Sequence, residues 1–557
     1  MFRMRVLTGL VSAGLLVIGC GSTNIVSTPI ENIDAISLKV SPLTEVQQKH
    51  WAHADLITDT IPGMSVDKAY EEIIGKKKGD KVIVAVLDSG MDLTHEDLDD
   101  VIWTNRGEKA GNGIDDDNNG YIDDVHGYNF LGESYNEQLE YARILRLKLG
   151  DEALRARAQK KLNKEVQDAT EKKEIILNNK QQTKQILDIV KESHLAIAKH
   201  LGKATYTKEE VAAISTTDPG LLRSMNVIQQ MLNYEDSIPE IIELIEADMA
   251  HFEEGLAHFS EKLDYHLNVS FNGRKVVGDD PYNYSDAKYG NGNPMYRDKE
   301  ESHGTHVAGI IAAERNNGLG MNGVANNVAI MSIRAVPNGD EYDKDIARGI
   351  RYAVDNGAKI INCSFGKSFS PNAEWVYDAI KYAAENDVLI VHAAGNEGDD
   401  LDSALNPNFP NDHNYSDSEY ADNVITVGAI DDSYGSEMVS SFSNYGASNV
   451  DVFAPGGHIY SSMPASEYEF QGGTSMAAPA VSGVAALIRS YYPNLSAPEV
   501  KKILMDSGLS TKMKVVVAGD PSRAKPFDQL SRSGKMVNAY NALIMASNIS
   551  NNKSKLP

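Results

Sequence analysis

Gly472-Gly473-Thr474-Ser475-Met476-Ala477-Ala478-Pro479-Ala480-Val481-Ser482-Gly483 sets a serine directly behind two glycines and a threonine, with small apolar residues after it and no breaker between Pro479 and Pro493. Such a run predicts a buried helix that carries a hydroxyl on its first turn. Pro479 falls in the opening turns, where a missing N–H costs least, and the alanines let the helix approach neighbouring backbone closely. At a helix start, unpaired N–H groups and the positive end of the dipole face whatever the serine attacks, which suits a developing oxyanion. A serine in that position is more often only a cap. The rest of the chain decides between the two.

Upstream, Lys81-Val82-Ile83-Val84-Ala85-Val86-Leu87-Asp88-Ser89-Gly90 has the form of a buried parallel strand with Asp88 at its carboxyl end. Between these two stretches, Ser302-His303-Gly304-Thr305-His306-Val307-Ala308-Gly309 opens a small-residue helix with His303 at its start. Val388-Leu389-Ile390-Val391-His392-Ala393-Ala394-Gly395-Asn396 is a strand that delivers Asn396 beside glycine. Asp, His and Ser in that chain order are one of the known triad arrangements. Ser475 needs a base as it attacks a carbonyl, and a neutral imidazole is suited to that near pH 7. Asp88 would hold the other ring nitrogen, and Asn396 with the backbone N–H of Ser475 would bind the oxyanion. Strands alternating with helices predict an α/β fold, a mostly parallel sheet with helices on both faces.

These four blocks resemble those of the subtilisin-like serine proteases, the subtilase family or peptidase S8. The resemblance implies Asp88, His303 and Ser475 as the triad, the first of the two histidines being the catalytic one, and Asn396 as the side-chain oxyanion donor. In subtilisin itself, loss of that donor costs about two to three orders of magnitude in turnover. Ile360-Ile361-Asn362-Cys363-Ser364-Phe365-Gly366 resembles the strand that walls the specificity pocket. The family pattern thus implies Ser364, Phe365 and Gly366, with Ala394 and Gly395, as substrate-binding residues. No cofactor is implied for catalysis. The resemblance covers about residues 50 to 130 and 269 to 546 and leaves out the middle.

At the start, a short basic region precedes an apolar one, Val6 to Ile18, too short for an ordinary membrane span. It ends in Val17-Ile18-Gly19-Cys20, which resembles a bacterial lipoprotein signal: residues 1–19 a signal peptide, Cys20 lipidated, residues 20–45 a tether. The expectation is an exported protein anchored by lipid to the cell envelope, in the outer membrane where two membranes exist. The catalytic fold begins near residue 46, which leaves little room for a folded inhibitory propeptide. With 2 cysteines, one of them Cys20, no intramolecular disulfide is expected, and Cys363 is a small buried hydrophobe. A formal charge of -26 argues against nucleic acid as a partner. Protein or peptide substrates and a membrane surface remain.

Asn112-Gly113-Ile114-Asp115-Asp116-Asp117-Asn118-Asn119-Gly120-Tyr121-Ile122-Asp123-Asp124 reproduces the first eight positions of an EF-hand-like loop, with Asp115, Asp117, Asn119 and the Tyr121 carbonyl as ligands. The twelfth position is His126, so Asp123 or Asp124 would replace the usual bidentate carboxylate. A structural calcium ion is expected there, with a solvated acidic turn as the alternative. The 215 residues from Asp88 to His303 are far more than a simple subtilase needs. Leu154, Ala158, Leu162, Val166 and Ala169, then Ile242, Ile245, Met249, Phe252, Leu256, Phe259 and Leu263, step at helical spacing with charges between them. Residues 133–268 are therefore an inserted helical subdomain between catalytic parts 46–132 and 269–548, with capping boxes at Thr207/Glu210 and Ser237/Glu240 and a disordered tail over 549–557. The insertion would gate substrates or dock a protein partner. A lipid-anchored binding protein with little turnover is the competing function.

Overall fold

Seven strands form one parallel sheet, all but the short β2 apolar runs: β1 Val82–Asp88, β2 Gly127–Asn129, β3 Val328–Arg334, β4 Ile360–Cys363, β5 Leu389–Ala393, β6 Val424–Ile430 and β7 Val452–Pro455. The computed structural model describes residues 27–413 and 419–554. Strand order is β2-β3-β1-β4-β5-β6-β7, every pair parallel, so all carboxyl ends share one edge. The order reverses at β1, where Asp88 emerges; the crevice at such a reversal is where α/β sheets place ligands.

Both faces are covered, which is why the strands read as continuous apolar runs. Val82, Val84 and Val86 of β1 join the core under helices His303–Ala312 and Thr474–Tyr491, while Ala85 and Leu87 join the core under Asp343–Asp355 and Ala373–Glu385. The period of two thus appears as two separate cores. The helix from Thr474 is buried over almost its whole length, Pro479 included, and packs against β4 to β7 and the His303 helix.

The insertion is helical as expected. Glu140–Leu147 leads into the 50-residue helix Glu152–Leu201; Lys208–Ala212 and Pro219–Met231 pack at its far end, and Ile238–Glu261 returns along it. Val190, Ile197, Val211, Ile228 and Ile241 form a separate distal core, while Tyr141, Ile144, Ala158 and Leu162 pack with Phe369 of the catalytic part at the root. Thr207 and Glu210 make the expected capping box, but Ser237, though it stands at the helix start, makes no side-chain cap bond.

Two boundary readings need correction. Of the stretch assigned to a tether, the segment from Ile30 to Ile36 docks on the catalytic part, while Leu38 and Val40 beyond it are exposed. Asn541 brackets Ile30, donating to its carbonyl at 2.9 Å and accepting its N–H at 2.8 Å, and Ile33 is 1% exposed. Isoleucines at 30, 33 and 36 supply the apolar anchor that overall polarity concealed. The tail is ordered further than expected: the helix Ala539–Lys553 runs past residue 549 because Ser550 and Lys553 bind Asn494 and Glu499. Cys20 and the signal segment lie outside the described residues, as do 414–418 and 555–557. Among the described residues no helix is long and apolar enough to cross a membrane.

Candidate active site

Asp88 ends β1 buried, its Oδ1 accepting the Ser89 N–H and facing His303 Nδ1, each at 2.7 Å. A carboxylate can only accept, so Nδ1 carries the proton and Nε2 keeps its lone pair. Asp88 Oδ2 is buried without a partner. His303 opens its helix against the end of β1, and the approach depends on Gly304: a Cβ there would sit 2.7 Å from the Ser89 carbonyl oxygen. Burial pushes the His303 imidazole down, but the charge of Asp88 and the hydrogen bond to it push up and prevail, so the ring titrates above its ordinary 6.5. His306 has a different environment. Its Nε2 donates to the Ile459 and Glu469 carbonyls at 3.1 and 3.2 Å, and burial takes it down to about 3, making it a neutral structural group.

Ser475 is the second residue of its helix, half-buried, where its N–H has no intrahelical acceptor. Its Oγ donates to the Ser364 carbonyl at 3.0 Å, while Ser364 Oγ donates to the Ser475 carbonyl at 2.8 Å. This reciprocal pair holds the hydroxyl on the Ser364 carbonyl, and the expected Ser475–His303 hydrogen bond is not formed; the hydroxyl must leave that carbonyl before it can donate to His303. Catalytic hydrogen bonds commonly tighten only when substrate is bound.

Asn396 is oriented by the threonine before the serine. Its Oδ1 accepts from both the N–H and the hydroxyl of Thr474, at 2.9 Å each, which turns Nδ2 outward as a donor. Thr474 Oγ1 in turn accepts the Gly395 N–H at 3.0 Å. A Cβ built on Gly473 would lie 3.4 Å from Asn396 Nδ2 and 3.6 Å from the Ser475 nitrogen, so the two donors border the same small space. Gly395 has φ +99, and a side chain there would meet Asn444 Nδ2 at 2.5 Å. Asn444 clamps the loop by donating to the Ala394 carbonyl and accepting from the Glu397 and Asp399 N–H groups.

The two wall segments are tied together. Phe365 carbonyl accepts from His392 Nε2 at 2.8 Å, and Asn408 Nδ2 donates to the Ala393 and Ala394 carbonyls. Gly366 passes so close that a Cβ would fall 2.4 Å from Asn408 Oδ1. Behind them, Ser482 Oγ donates to Asn362 Oδ1 and Asn362 Nδ2 to Ser364 Oγ, each at 2.9 Å. Thr474, Asn362, Ser482, Asn408 and Asn444 were given no role by sequence reasoning. The available signal was a polar residue inside an apolar run, Asn362 in its strand and Ser482 in its helix. Cys363 is fully buried, and burial raises its thiol far above the usual range, consistent with a packing role.

The acidic loop assembles differently from its sequence pattern. Asp115 turns both oxygens to the Asn119 and Gly120 N–H groups, and Asp123 turns its own to Asn112 and Gly113. Asn119 presents its amide nitrogen to Asp117 and Asp124, and Tyr121 contributes its ring to an aromatic cluster with Tyr128 and Tyr352. Asp117 and Asp124 do converge, but with Glu108, which lies before the loop: one carboxylate oxygen from each falls within 4.8 Å of the others. Burial raises the Asp124 carboxyl to about 6 despite hydrogen bonds from Tyr352, Asn119 and Asn105. Three carboxylates held together, two of them buried, suit a hard cation with oxygen ligands.

Against known proteins, the profile of the subtilase family matches residues 79–530. The chain is 42% identical over 42% of its length to the thermophilic serine proteinase of Bacillus sp. (strain AK1), spanning 51% of that protein. It is 40% identical over 39% of its length to thermitase of Thermoactinomyces vulgaris, spanning 68% of it. With subtilisin DY of Bacillus licheniformis it shares 35% identity over 48% of its length and 90% of that protein.

Proposed function

The chain belongs to the subtilase family, and from that premise we propose that it is a serine endopeptidase working through Asp88, His303 and Ser475. The observation that carries this reading is the Asp88–His303 bond, 2.7 Å long, on the same sheet edge as an Asn396 amide locked by Thr474 beside Ser475. Ser475 leaves the Ser364 carbonyl and attacks the substrate carbonyl as His303 Nε2 takes its proton. Asp88 orients the ring and stabilises the imidazolium without becoming protonated. The tetrahedral oxyanion sits between Asn396 Nδ2 and the Ser475 N–H. His303 then protonates the leaving amine, and water releases the acyl group by the same steps in reverse. Substrate lies against Ser364, Phe365, Gly366, Ala394 and Gly395.

A fluorophosphonate probe tests the assignment. Labelling that disappears in Ser475→Ala, with hydrolysis of a protein substrate lost alongside, is the expected result. Well-folded protein that neither labels nor cleaves would favour the lipid-anchored binder.

In the same reading, Glu108, Asp117 and Asp124 hold a calcium ion that braces the segment between β1 and β2 and supplies no chemistry. Residues 1–20 direct export and lipid attachment at Cys20, supported by the sequence pattern alone; palmitate incorporation that survives Cys20→Ala would refute it.

A further inference from the structure

Helix Glu140–Leu147, where the insertion leaves the catalytic part, turns two charged residues inward: Glu140 and Arg143 are 1% and 0% exposed. They meet Lys367, also buried, which directly follows Gly366 of the substrate wall. Glu140 Oε2 accepts from Lys367 Nζ at 3.0 Å and from Arg143 Nη2 at 2.5 Å, and its Oε1 accepts the Tyr282 hydroxyl at 2.8 Å. Lys367 Nζ also donates to the Glu341 carbonyl at 2.7 Å and forms an ion pair with Asp343 Oδ1 at 2.8 Å. Arg143 donates to the Asp340 and Glu341 carbonyls. The main chain of Lys367 is held in both directions by Phe409, at 3.0 and 2.9 Å.

A buried ion pair contributes little net stability compared with an apolar pair of the same volume, yet its directional bonds can fix a register. Apolar attachment is already available two residues on, where Phe369 packs on Tyr141 and Ile144. The ammonium therefore adds position rather than adhesion. From Lys367 the chain runs back through Gly366 and Phe365 to Ser364, whose carbonyl holds the Ser475 hydroxyl.

We propose that Glu140 and Lys367 are positioning residues for extended peptide substrates: through this pair the root of the insertion sets the height of the wall segment Ser364-Phe365-Gly366 against Ser475. The proposal rests on the peptidase reading above and adds to it that the insertion takes part in substrate alignment.

The test uses the full chain and the variants Lys367→Met, Glu140→Gln, Lys367→Arg and the double variant Glu140→Gln/Lys367→Met. Each is measured for fluorophosphonate labelling of Ser475, for a single-residue ester and for a peptide occupying the whole wall. KM for the long peptide should rise roughly tenfold with kcat little changed, the signature of lost uniform binding, while labelling and ester hydrolysis change several-fold less. Lys367→Arg should recover part of the loss. Removing one partner of a buried pair can prevent folding; if the single neutral variants do not fold, Lys367→Arg and the double variant carry the comparison. A folded variant in which short and long substrates change by the same factor, or neither changes, overturns the proposal and leaves a merely structural pair. Wild-type protein that does not label at Ser475 would overturn the peptidase reading, and the proposal with it.

Discussion

Asn396 has its oxygen occupied twice by Thr474, so its nitrogen can serve only outward, and Asn396→Ala should leave KM near wild type while lowering kcat by about two to three orders of magnitude, the cost known for subtilisin. Gly473→Ala tests the same space from the other side. The backbone there is extended, with φ 164, so the methyl is not strained, but it would enter the gap bordered by both donors; steady-state kinetics should show lower kcat at unchanged thermal midpoint. For pH, the active form of His303 is neutral, and Asp88 raises the ring above 6.5. The acid limb of kcat/KM should therefore lie above that value. In Asp88→Asn the opposing effect of burial remains, so the limb should move down in pH as kcat falls. For folding the sign is the reverse of activity: protonated His303 paired with Asp88 contributes stability below the unfolded pKa, and that contribution is lost as pH rises through the folded one. The catalytic candidates were legible because Asp88, His303, Asn396 and Ser475 each stand where an apolar run begins or ends. The resting partner of Ser475 was not, since the choice between His303 and the Ser364 carbonyl is made by a strand and a helix 111 residues apart.

At the scale of elements, the acidic loop shows where pattern and packing part. Its spacing announced a cation site, but the carboxylates that converge are Asp117 and Asp124 with Glu108, from outside the loop, while main-chain N–H groups of the turn bind Asp115, Asp123 and Glu108 alike. If calcium is held there, Glu108→Gln should abolish the rise in thermal midpoint that added calcium gives the wild type, while leaving peptide hydrolysis at room temperature near normal. Calorimetry with and without a chelator measures it; an unchanged calcium response in Glu108→Gln would remove the site. Strand β1 was legible for a simpler reason, since Val82, Val84 and Val86 face one core and Ala85 and Leu87 the other. Helix starts were legible at Thr207, where the capping box forms, and also at Ser237, His303 and Thr474, where no side-chain cap bond forms.

Across the whole molecule, the insertion could be seen in the sequence as the 215-position step from Asp88 to His303, but not how deeply its root enters the active-site edge. Arg334 at the end of β3 makes the point: it binds Glu301, two residues before His303, and the carbonyls of Gly132 and Ser134, where the insertion begins. Such bonds join segments about 200 residues apart and leave no local signature. Excising the whole insertion would expose these buried charges. Joining the two long helices by a short turn near Ile176 and Gly255, which touch, removes only the distal part. That shortened protein should cleave short peptides as wild type does and differ on folded substrates; equal effects on both would argue against gating. A straight helix of 50 residues is about 75 Å long. Held rigidly at one end, such a rod is a lever: about five degrees of tilt at its fulcrum moves its tip by roughly 6 Å. A helix of that length thus turns a small angle at its root into a side-chain-sized sweep at its tip.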